Sequence, residues 1–482
     1  MLIDSLPLAT PYDPAEDPPG SIDPMGTVAM AEQLAEVLFP GVTARMWRAR
    51  HMTFAALAAL VAEHVAEDAG GDEELRLEAR LGLERLFVSA VARSERWDDS
   101  WRLASRRLPG ISLARRALNS KNQPLERANF LKGQAVNGPF GVIARLARNM
   151  DVIDDDNRIS RNGQELLLAW SAEEGLRGIL DDRGAKSPGA KWLKRLTKDV
   201  ARQVKDSFWP APRWWGWSDL AEHLRPDHLG HQESDVILRL LCGDKSVVRR
   251  RCVELLQDRE IADNYVSLSD HLSRGEVDQH ILAYQVQPKV DESDSDVERI
   301  IAFTIRLLDA YEQTAGHLES VVRGLLWGLT HRGGRADREQ LLADPTLKPH
   351  FAGALTGLAS AAQDLQSRMA DLPNYPVVND SIDLERLDET LQDALGGLES
   401  EGQLVDTVMA RHRRVQKQKS KGAWIETDTK HWTLLPGFGD SGETPWTHDG
   451  AYLHPFRVSN AYSLLIDLGQ IHGAEITDGQ EE

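Results

Sequence analysis

The residues whose types and spacing best suit catalysis alternate in the segment WIETDTKHW. Glu426, Asp428 and Lys430 are separated by single residues, so on a β-strand they would share one face. Two carboxylates and a lysine are what a magnesium-dependent nuclease uses to hold its metal and to stabilise a leaving oxygen. The exposed face of an edge strand shows the same pattern. These three residues are therefore weak candidates for a catalytic site.

Other catalytic motifs are absent from the sequence. It has no GxxxxGK followed by Ser or Thr, and no GxGxxG after a predicted strand, the patterns that bind nucleotide phosphates. It also lacks the GxSxG turn that presents a nucleophilic serine. We therefore predict no bound cofactor or metal. The sequence favours a protein without catalytic activity and leaves a metal-dependent nuclease as an alternative.

Three segments rich in Lys and Arg suggest a different chemistry, the binding of phosphate groups. The densest is ARHRRVQKQKSK, with the cations Arg411, Arg413, Arg414, Lys417, Lys419 and Lys421. The others span 102–121 and 186–205, and the latter carries Lys191, Lys194 and Arg195. Together the three segments would form one track for a nucleic-acid backbone. For the densest segment, the alternatives are the solvated end of a helix and a surface that docks an acidic partner.

The overall charge limits how the chain could meet nucleic acid. The 482 residues carry 56 Lys and Arg against 75 Asp and Glu, a formal net charge of -19. Such a surface repels a polyanion at long range, so any contact with nucleic acid must be local. Hydrophobic residues at 41% and charged residues at 27% are typical of a folded globular chain rather than a disordered one.

The sequence favours a cytoplasmic location. It has two cysteines, Cys242 and Cys252, too few for a disulfide-stabilised secreted protein. Its N-terminus lacks the charged and apolar regions of a signal peptide. The longest apolar run, at 55–62, is far shorter than the roughly 20 residues that a bilayer-spanning helix needs. We therefore expect no membrane anchor.

Apolar residues recur at helical spacing along most of the chain, and this predicts a mainly α fold. We expect a helical bundle with a winged-helix-like module and a small α+β module at the C-terminus. The predicted domains are an N-terminal helical domain at 1–120, the winged-helix-like module at 121–205, a helical domain at 206–400 and the α+β module at 401–482.

The winged-helix prediction rests on the order of elements within 121–205. PLERANFLKGQ and PFGVIARLARNM each predict a helix, VIDDDNRIS predicts a short hairpin, and NGQELLLAWSAEEGL predicts a further helix. In such a module the second helix would read DNA, and it offers Arg145 and Arg148. The hairpin is acidic, however, so phosphates would repel it. The module therefore favours protein–protein contact, with a transcriptional regulator as the alternative.

Four tryptophans follow the basic segment 186–205 within nine residues: Trp209, Trp214, Trp215 and Trp217. Beside a cationic segment they could stack unpaired bases. We favour the alternative, a hydrophobic plug at a domain junction, because tryptophan so often fills such corners.

Three short features spread over most of the chain carry a family resemblance. They are LFPG at 38–41 ahead of RAR at 48–50, Gly163 with Leu166, and His412 ahead of a basic run and Trp424. Together they resemble a bacterial domain family of unknown function that is found beside helicases and restriction or phage-defence genes. His51 stands where that family would have an aromatic residue such as Tyr. The resemblance implies a multi-protein defence or DNA-processing system and no known reaction.

These observations lead to one leading hypothesis and two alternatives. We expect a non-catalytic adaptor or DNA-engaging subunit that works with a protein partner such as a helicase or nuclease. The first alternative is a metal-dependent nuclease, and the second is a winged-helix transcriptional regulator.

Overall fold

Helices dominate the computed structural model, which describes residues 23–96, 98–120, 123–243, 245–291, 293–428 and 430–471. Over these ranges the chain forms 22 α-helices and three short strands, so the predicted mainly α fold is confirmed. Within them no helix combines the length and the apolar character needed to cross a bilayer. The outer ends of the first and last predicted domains, 1–22 and 472–482, lie outside the described residues.

In chain order the helices are α1 (Val28–Leu38), α2 (Arg50–Glu67), α3 (Glu73–Ser94), α4 (Ser100–Ala104), α5 (Ile111–Asn119), α6 (Gln134–Asn137), α7 (Pro139–Asn149), α8 (Arg161–Glu173), α9 (Pro188–Asp206), α10 (Gly216–His223), α11 (His231–Leu241), α12 (Val247–Leu256), α13 (Arg259–Ser269), α14 (Arg274–Gln279), α15 (Gln287–Asp291), α16 (Asp296–Thr330), α17 (Arg338–Leu342), α18 (Leu347–Asp371), α19 (Pro376–Asn379), α20 (Leu384–Gly396), α21 (Glu401–Gln418) and α22 (Val458–Asp467). A π-helical turn, His280–Val286, lies between α14 and α15. The strands are β1 (Arg335–Asp337), β2 (Ile425–Thr427) and β3 (His431–Leu434).

Contacts among Cα atoms divide the chain into two compact units. The first unit consists of the described residues up to Gln33 and of Leu307–His454. The second consists of Leu34–Arg306 and of the described residues from Pro455 onward. The sequence-predicted boundaries after residues 120, 205 and 400 each fall inside one of these units rather than between them.

The second unit is built around α2 and α3. Helix α2 is almost wholly buried and is apolar throughout its middle, from Phe54 to Ala62, as expected of a central core helix. Asp72 begins α3 by accepting a hydrogen bond from the backbone N–H of Leu75 at 3.0 Å. The rings of Phe54 and Phe87 stack with centroids 4.6 Å apart, which fixes the two helices together.

Helices α5, α9 and α10 all pack on α3. A Cβ at Gly82 would lie 2.8 Å from the side-chain oxygen of Gln203 on α9, so that flexible side chain would have to shift to admit one. Both basic segments of the second unit therefore contact α3, one through α5 and the other through α9.

The region predicted as a winged helix differs from expectation at its first helix. PLERANFLKGQ forms no helix, and only the four residues of α6 precede α7. The side chain of Asn129 bonds the backbone of Pro124 and Glu126 and so favours a local turn, and Gly133 adopts φ 64°. The predicted hairpin is reduced to one bridge between Ile153 and Ile159. The winged-helix order stays a prediction.

The first unit combines helices with a small sheet. Helices α18, α20 and α21 pack against one another, and the three strands form an antiparallel sheet in the order β1-β3-β2. Trp432 of β3 lies between Ala336 of β1 and Thr427 of β2. The sheet therefore takes one of its strands from far upstream of the predicted C-terminal module.

Candidate nucleic-acid interface

Helix α9 begins and ends at residues suited to those positions. Ser187 is extended at the N-cap, and Pro188 occupies the first turn, where its missing N–H costs nothing. Ser207 ends the helix in a left-handed conformation with φ 51°. One face of α9 buries apolar side chains including Trp192, Leu196 and Val200 against the rest of the second unit.

The opposite face of α9 carries six exposed cationic side chains. They are Lys191, Lys194, Arg195, Lys198, Arg202 and Lys205. At 3.6 residues per turn they fall within an arc of about 100°, so they form one stripe along the helix. The stripe is about 21 Å long, which places one positive charge every 4 Å or so. One strand of DNA carries a phosphate about every 3.4 Å of rise, so the two spacings are close.

These six cations are not neutralised within the fold. Among the residues that the structure describes, none of the six forms an ion pair. Asp199, one of the two acidic residues of the helix, accepts hydrogen bonds from the indole nitrogens of Trp214 and Trp215 at 2.7 and 2.9 Å. Repulsion between neighbouring cations therefore persists until an external anion arrives.

The tryptophan cluster ties α9 to α3 through ring contacts. The guanidinium of Arg195 lies 4.0 Å from the ring centre of Trp215, and that of Arg93 lies 4.3 Å from the ring of Trp217. Trp214 contacts both of these indoles. Because the rings pack on one another and beneath guanidiniums, they fill the junction of α9, α10 and α3. This arrangement supports the hydrophobic plug rather than a platform for unpaired bases.

The described part of the basic segment at 102–121 also packs on α3. Helix α5 packs on α3, and Arg115 binds both carboxylate oxygens of Glu95 at 2.7 and 2.9 Å. The structure thus brings two of the three predicted basic segments onto α3. The third segment belongs to the first unit.

In that third segment several of the cations are bound by the protein itself. Arg411 is 3% exposed, and its guanidinium bonds the backbone oxygen of Met25, the carboxylate of Asp393 and the hydroxyl of Thr390 at 2.7 to 3.1 Å. Arg414 reaches the same Asp393 oxygen at 2.6 Å. These two arginines therefore hold helices together and leave little capacity for phosphate.

The four remaining cations of the densest segment are Lys419, which Asp23 binds, and three side chains that are exposed to solvent. Lys419 bonds the backbone oxygen and the carboxylate of Asp23 at 2.6 and 3.0 Å. Arg413 is exposed and donates to the hydroxyl of Thr427 at 2.7 Å. Lys417 and Lys421 are also exposed. Arg413, Lys417 and Lys421 are thus the cations of this segment that are exposed to solvent.

His412 and Trp424, which belong to the family resemblance, have a structural role at this segment. His412 is buried, its Nδ1 lies 3.0 Å from the backbone oxygen of Pro24, and its Nε2 accepts the backbone N–H of Trp424 at 3.0 Å. Burial lowers the pKa of His412, so the neutral ring that this bonding requires is favoured. His412 thereby fixes the segment that precedes α1 to the end of α21.

Helix α7, predicted to read DNA, is largely covered by its neighbours. Phe140, Ile143 and Leu146 are among its buried residues, and α2 packs along it. Arg145 is exposed but lies 3.1 Å from a carboxylate oxygen of Glu36. Arg148 donates to the side chain of Asn157 at 2.6 Å. The apolar face of the helix is thus packed within the second unit, and both of its candidate arginines have partners within the protein.

The alternating carboxylates lie at the β2–β3 hairpin. Glu426 is exposed on β2 opposite Thr433, and Lys430 is exposed in the turn. One oxygen of Asp428 accepts the backbone N–H groups of Lys430 and His431 at 2.7 and 2.6 Å, and these bonds lower its pKa. Within the described part of the chain, no three His, Cys, Asp or Glu residues are grouped so that they could hold a metal ion. Asp428 thus stabilises a turn.

Three residues of the α9 stripe were missed as site candidates. Lys198, Arg202 and Lys205 follow Lys191 and Lys194 at steps of three and four, which is the spacing of one helix face. A helical projection of 188–206 would have included them. The spacing that places these three cations on one helix face was therefore already visible in the sequence.

Comparison with known proteins gives no match. No family model matches the chain, and neither a curated protein nor a solved structure does so. The family resemblance therefore rests on the short motifs that carry it.

Proposed function

We propose that this protein is a non-catalytic, DNA-engaging subunit that holds the sugar-phosphate backbone on the cationic stripe of α9. The observation that carries the proposal is a stripe of six exposed Lys and Arg side chains that form no ion pair among the described residues. In a chain with a net charge of -19, such a stripe is costly unless an anion covers it.

The stripe suits backbone contact better than base readout. Four of its six cations are lysines, whose flexible ammonium groups bind phosphates as point charges. Direct readout of bases relies instead on planar side chains such as Arg, Asn and Gln held in a groove. We therefore expect binding with little sequence preference and strong salt dependence.

The biological setting of the proposal comes from the family resemblance. It is an anti-phage defence or DNA-processing system in the bacterial cytoplasm, in which a helicase or nuclease subunit would supply the catalysis. The alternatives, a metal-dependent nuclease and a winged-helix regulator, lack comparable support. Asp428 is engaged in a turn, and α7 is packed against α2.

The test is equilibrium binding of the full-length protein to a labelled DNA duplex and to the matching single strand. In the α9 triple variant, Lys191→Glu, Lys194→Glu and Lys198→Glu reverse three charges of the stripe. At about 0.1 M salt we expect its affinity to fall at least 100-fold or so, because three phosphate contacts are lost and three repulsions are added.

A matched control reverses three exposed cations of the densest segment. The α21 triple variant carries Arg413→Glu, Lys417→Glu and Lys421→Glu and so has the same net charge. If α9 is the interface, this variant binds nearly as well as the natural protein. Equal loss in both variants would show an effect of net charge alone, and loss confined to the α21 triple variant would move the interface to the first unit.

A further inference from the structure

Two of the six cations in the α9 stripe lie over aromatic rings. The Arg195 guanidinium lies 4.0 Å from the ring centre of Trp215, and the Arg202 guanidinium lies 4.1 Å from that of Phe208. A ring face attracts a guanidinium through its quadrupole and so restrains the position of the planar group. The other four cations are lysines, whose ammonium groups sit on flexible stems. The stripe therefore combines four flexible point charges with two positioned planar groups.

Each of the two rings is fixed by further contacts. The indole nitrogen of Trp215 donates to Asp199 at 2.9 Å, and the ring packs on neighbouring indoles of the tryptophan cluster. At the end of α9, Ser207 adopts φ 51°. The backbone N–H of Phe208 then donates to the carbonyl of Arg202 at 3.4 Å, which brings the phenyl ring back to the helix. The two arginines are therefore positioned by the local fold.

Both guanidiniums are available to an external group. Arg195 and Arg202 are exposed, and within the described ranges neither forms an ion pair. By contrast, Arg225, which lies over Trp101, binds Asp227 at 2.8 Å. In the two arginines of α9 the ring covers one face of the guanidinium. The opposite face and the N–H groups at the edge therefore remain accessible.

A planar guanidinium offers a surface on which a nucleobase can stack. In a duplex, the faces of neighbouring bases cover one another at steps of about 3.4 Å, so they are not open to a side chain. An unpaired strand exposes those faces. Stacking also tolerates every base, since each has a π-face, and this agrees with a stripe that has little sequence preference. The two guanidiniums therefore favour a single strand.

The order of the cations along α9 fits one strand laid on the helix. Seven residues separate Arg195 from Arg202, which is about two turns and a rise of about 10.5 Å. Lys198 lies between them on the same face, and Lys191 and Lys205 lie beyond them at the two ends. Lysines that follow the backbone and planar groups that stack on bases are the two components of a surface that binds single strands.

We propose that Arg195 and Arg202 stack on unpaired bases, so that the nucleic acid held by α9 is single-stranded DNA. This inference rests on the function proposed above and adds the form of the substrate. Trp215 and Phe208 support the guanidiniums and do not themselves contact the bases. A duplex would meet the lysines through its phosphates and would leave the faces of the two guanidiniums unused.

The test compares two labelled single strands in equilibrium binding to the full-length protein. One is an oligothymidylate of about twelve nucleotides, and the other is an abasic strand of the same length, which keeps the phosphates and lacks the bases. We expect the natural protein to bind the oligothymidylate at least about tenfold more tightly, because two stacked bases are missing from the abasic strand.

A charge-preserving variant assigns this preference to the two arginines. Arg195→Lys with Arg202→Lys keeps both positive charges and removes both planar groups. Its affinity for the oligothymidylate should fall at least about tenfold, whereas its affinity for the abasic strand and for a duplex should stay within about twofold of that of the natural protein. Both side chains are exposed, so the substitutions spare the core.

Arg116→Lys with Arg213→Lys is the matched control, since both are exposed arginines of the second unit that lie over no ring among the described residues. This variant should keep the natural preference for the oligothymidylate. Equal affinity of the natural protein for the two strands would overturn the stacking and leave the proposed backbone contact intact. An unchanged preference in the Arg195 and Arg202 variant would do the same. Failure of the natural protein to bind either strand or the duplex would overturn the proposed function itself.

Discussion

Helix α9 and the basic end of α21 have similar compositions and opposite environments. Each region carries six Lys or Arg residues within a short span. Around α21, acidic groups at Asp23 and Asp393 converge on Arg411, Arg414 and Lys419. Around α9, Asp199 accepts hydrogen bonds from two indoles, and Asp206 at the end of the helix is exposed. Local charge density alone therefore does not identify a binding surface, because the fold decides which cations are already paired.

The position of a cation on its helix explains the difference. Arg411 follows Leu404 and Val408 and precedes Val415 at steps of three and four, so it lies on the buried face of α21. The cations of α9 all lie away from its apolar face. A buried guanidinium must find acceptors inside the protein, whereas an exposed one remains available to a ligand.

The largest effect we predict is a loss of stability caused by a substitution in α21. Arg411→Ala removes the buried charge-assisted bonds to Met25, Thr390 and Asp393, although Arg414 keeps its bond to Asp393, so stability should fall by about 3 to 5 kcal/mol. Urea unfolding measures this change. Lys417→Ala, an exposed neighbour on the same helix, should stay within about 0.5 kcal/mol. A loss below about 1 kcal/mol for Arg411→Ala would mean that its bonds do not hold the first unit together.

A smaller loss of stability is expected for a substitution in α9. Asp199→Ala removes the acceptor shared by Trp214 and Trp215, and each indole N–H left unbonded is costly. We expect stability to fall by about 1 to 3 kcal/mol. Tryptophan fluorescence during urea unfolding follows both the stability and the cluster. Asp206→Ala, an exposed acid at the end of the same helix, serves as the control, and an equal effect of the two variants would contradict the role given to Asp199.

A further prediction concerns a buried ion pair in the first unit. Burial of His454 disfavours its charged form, but Glu312, whose carboxylate lies 2.6 Å from Nδ1, outweighs burial and raises the pKa of the ring. The folded pKa then exceeds the unfolded value of about 6.5, so the pair stabilises the protein below that pH, and its contribution is lost as pH rises through the folded pKa.

The measurement is the urea midpoint followed from mildly acidic to mildly alkaline pH. The midpoint should decline across that range, and Glu312→Gln should flatten the decline by removing the negative charge. A midpoint with the same pH dependence in both proteins would show that this pair does not control the stability of the first unit.

Part of this picture could be predicted from the sequence. The mainly α fold follows from apolar spacing, and Lys191, Lys194 and Arg195 were recognised from the density of cations in the segment 186–205. The failure at 124–134 came from local turn chemistry, in which Asn129 competes for the backbone. Strand β1 pairs with β3 across roughly a hundred residues of chain, and no local pattern reports such a pairing.

The measurement that tests the central claim most directly is the salt dependence of DNA binding. For a duplex, the slope of log K against log salt concentration changes by about 0.9 for each phosphate contact. In a variant with Lys191→Ala, Lys194→Ala and Lys198→Ala, we predict that the slope becomes less steep by about 2 to 3, with no change in stability beyond about 0.5 kcal/mol. A slope equal to that of the natural protein would show that α9 does not hold the phosphate backbone.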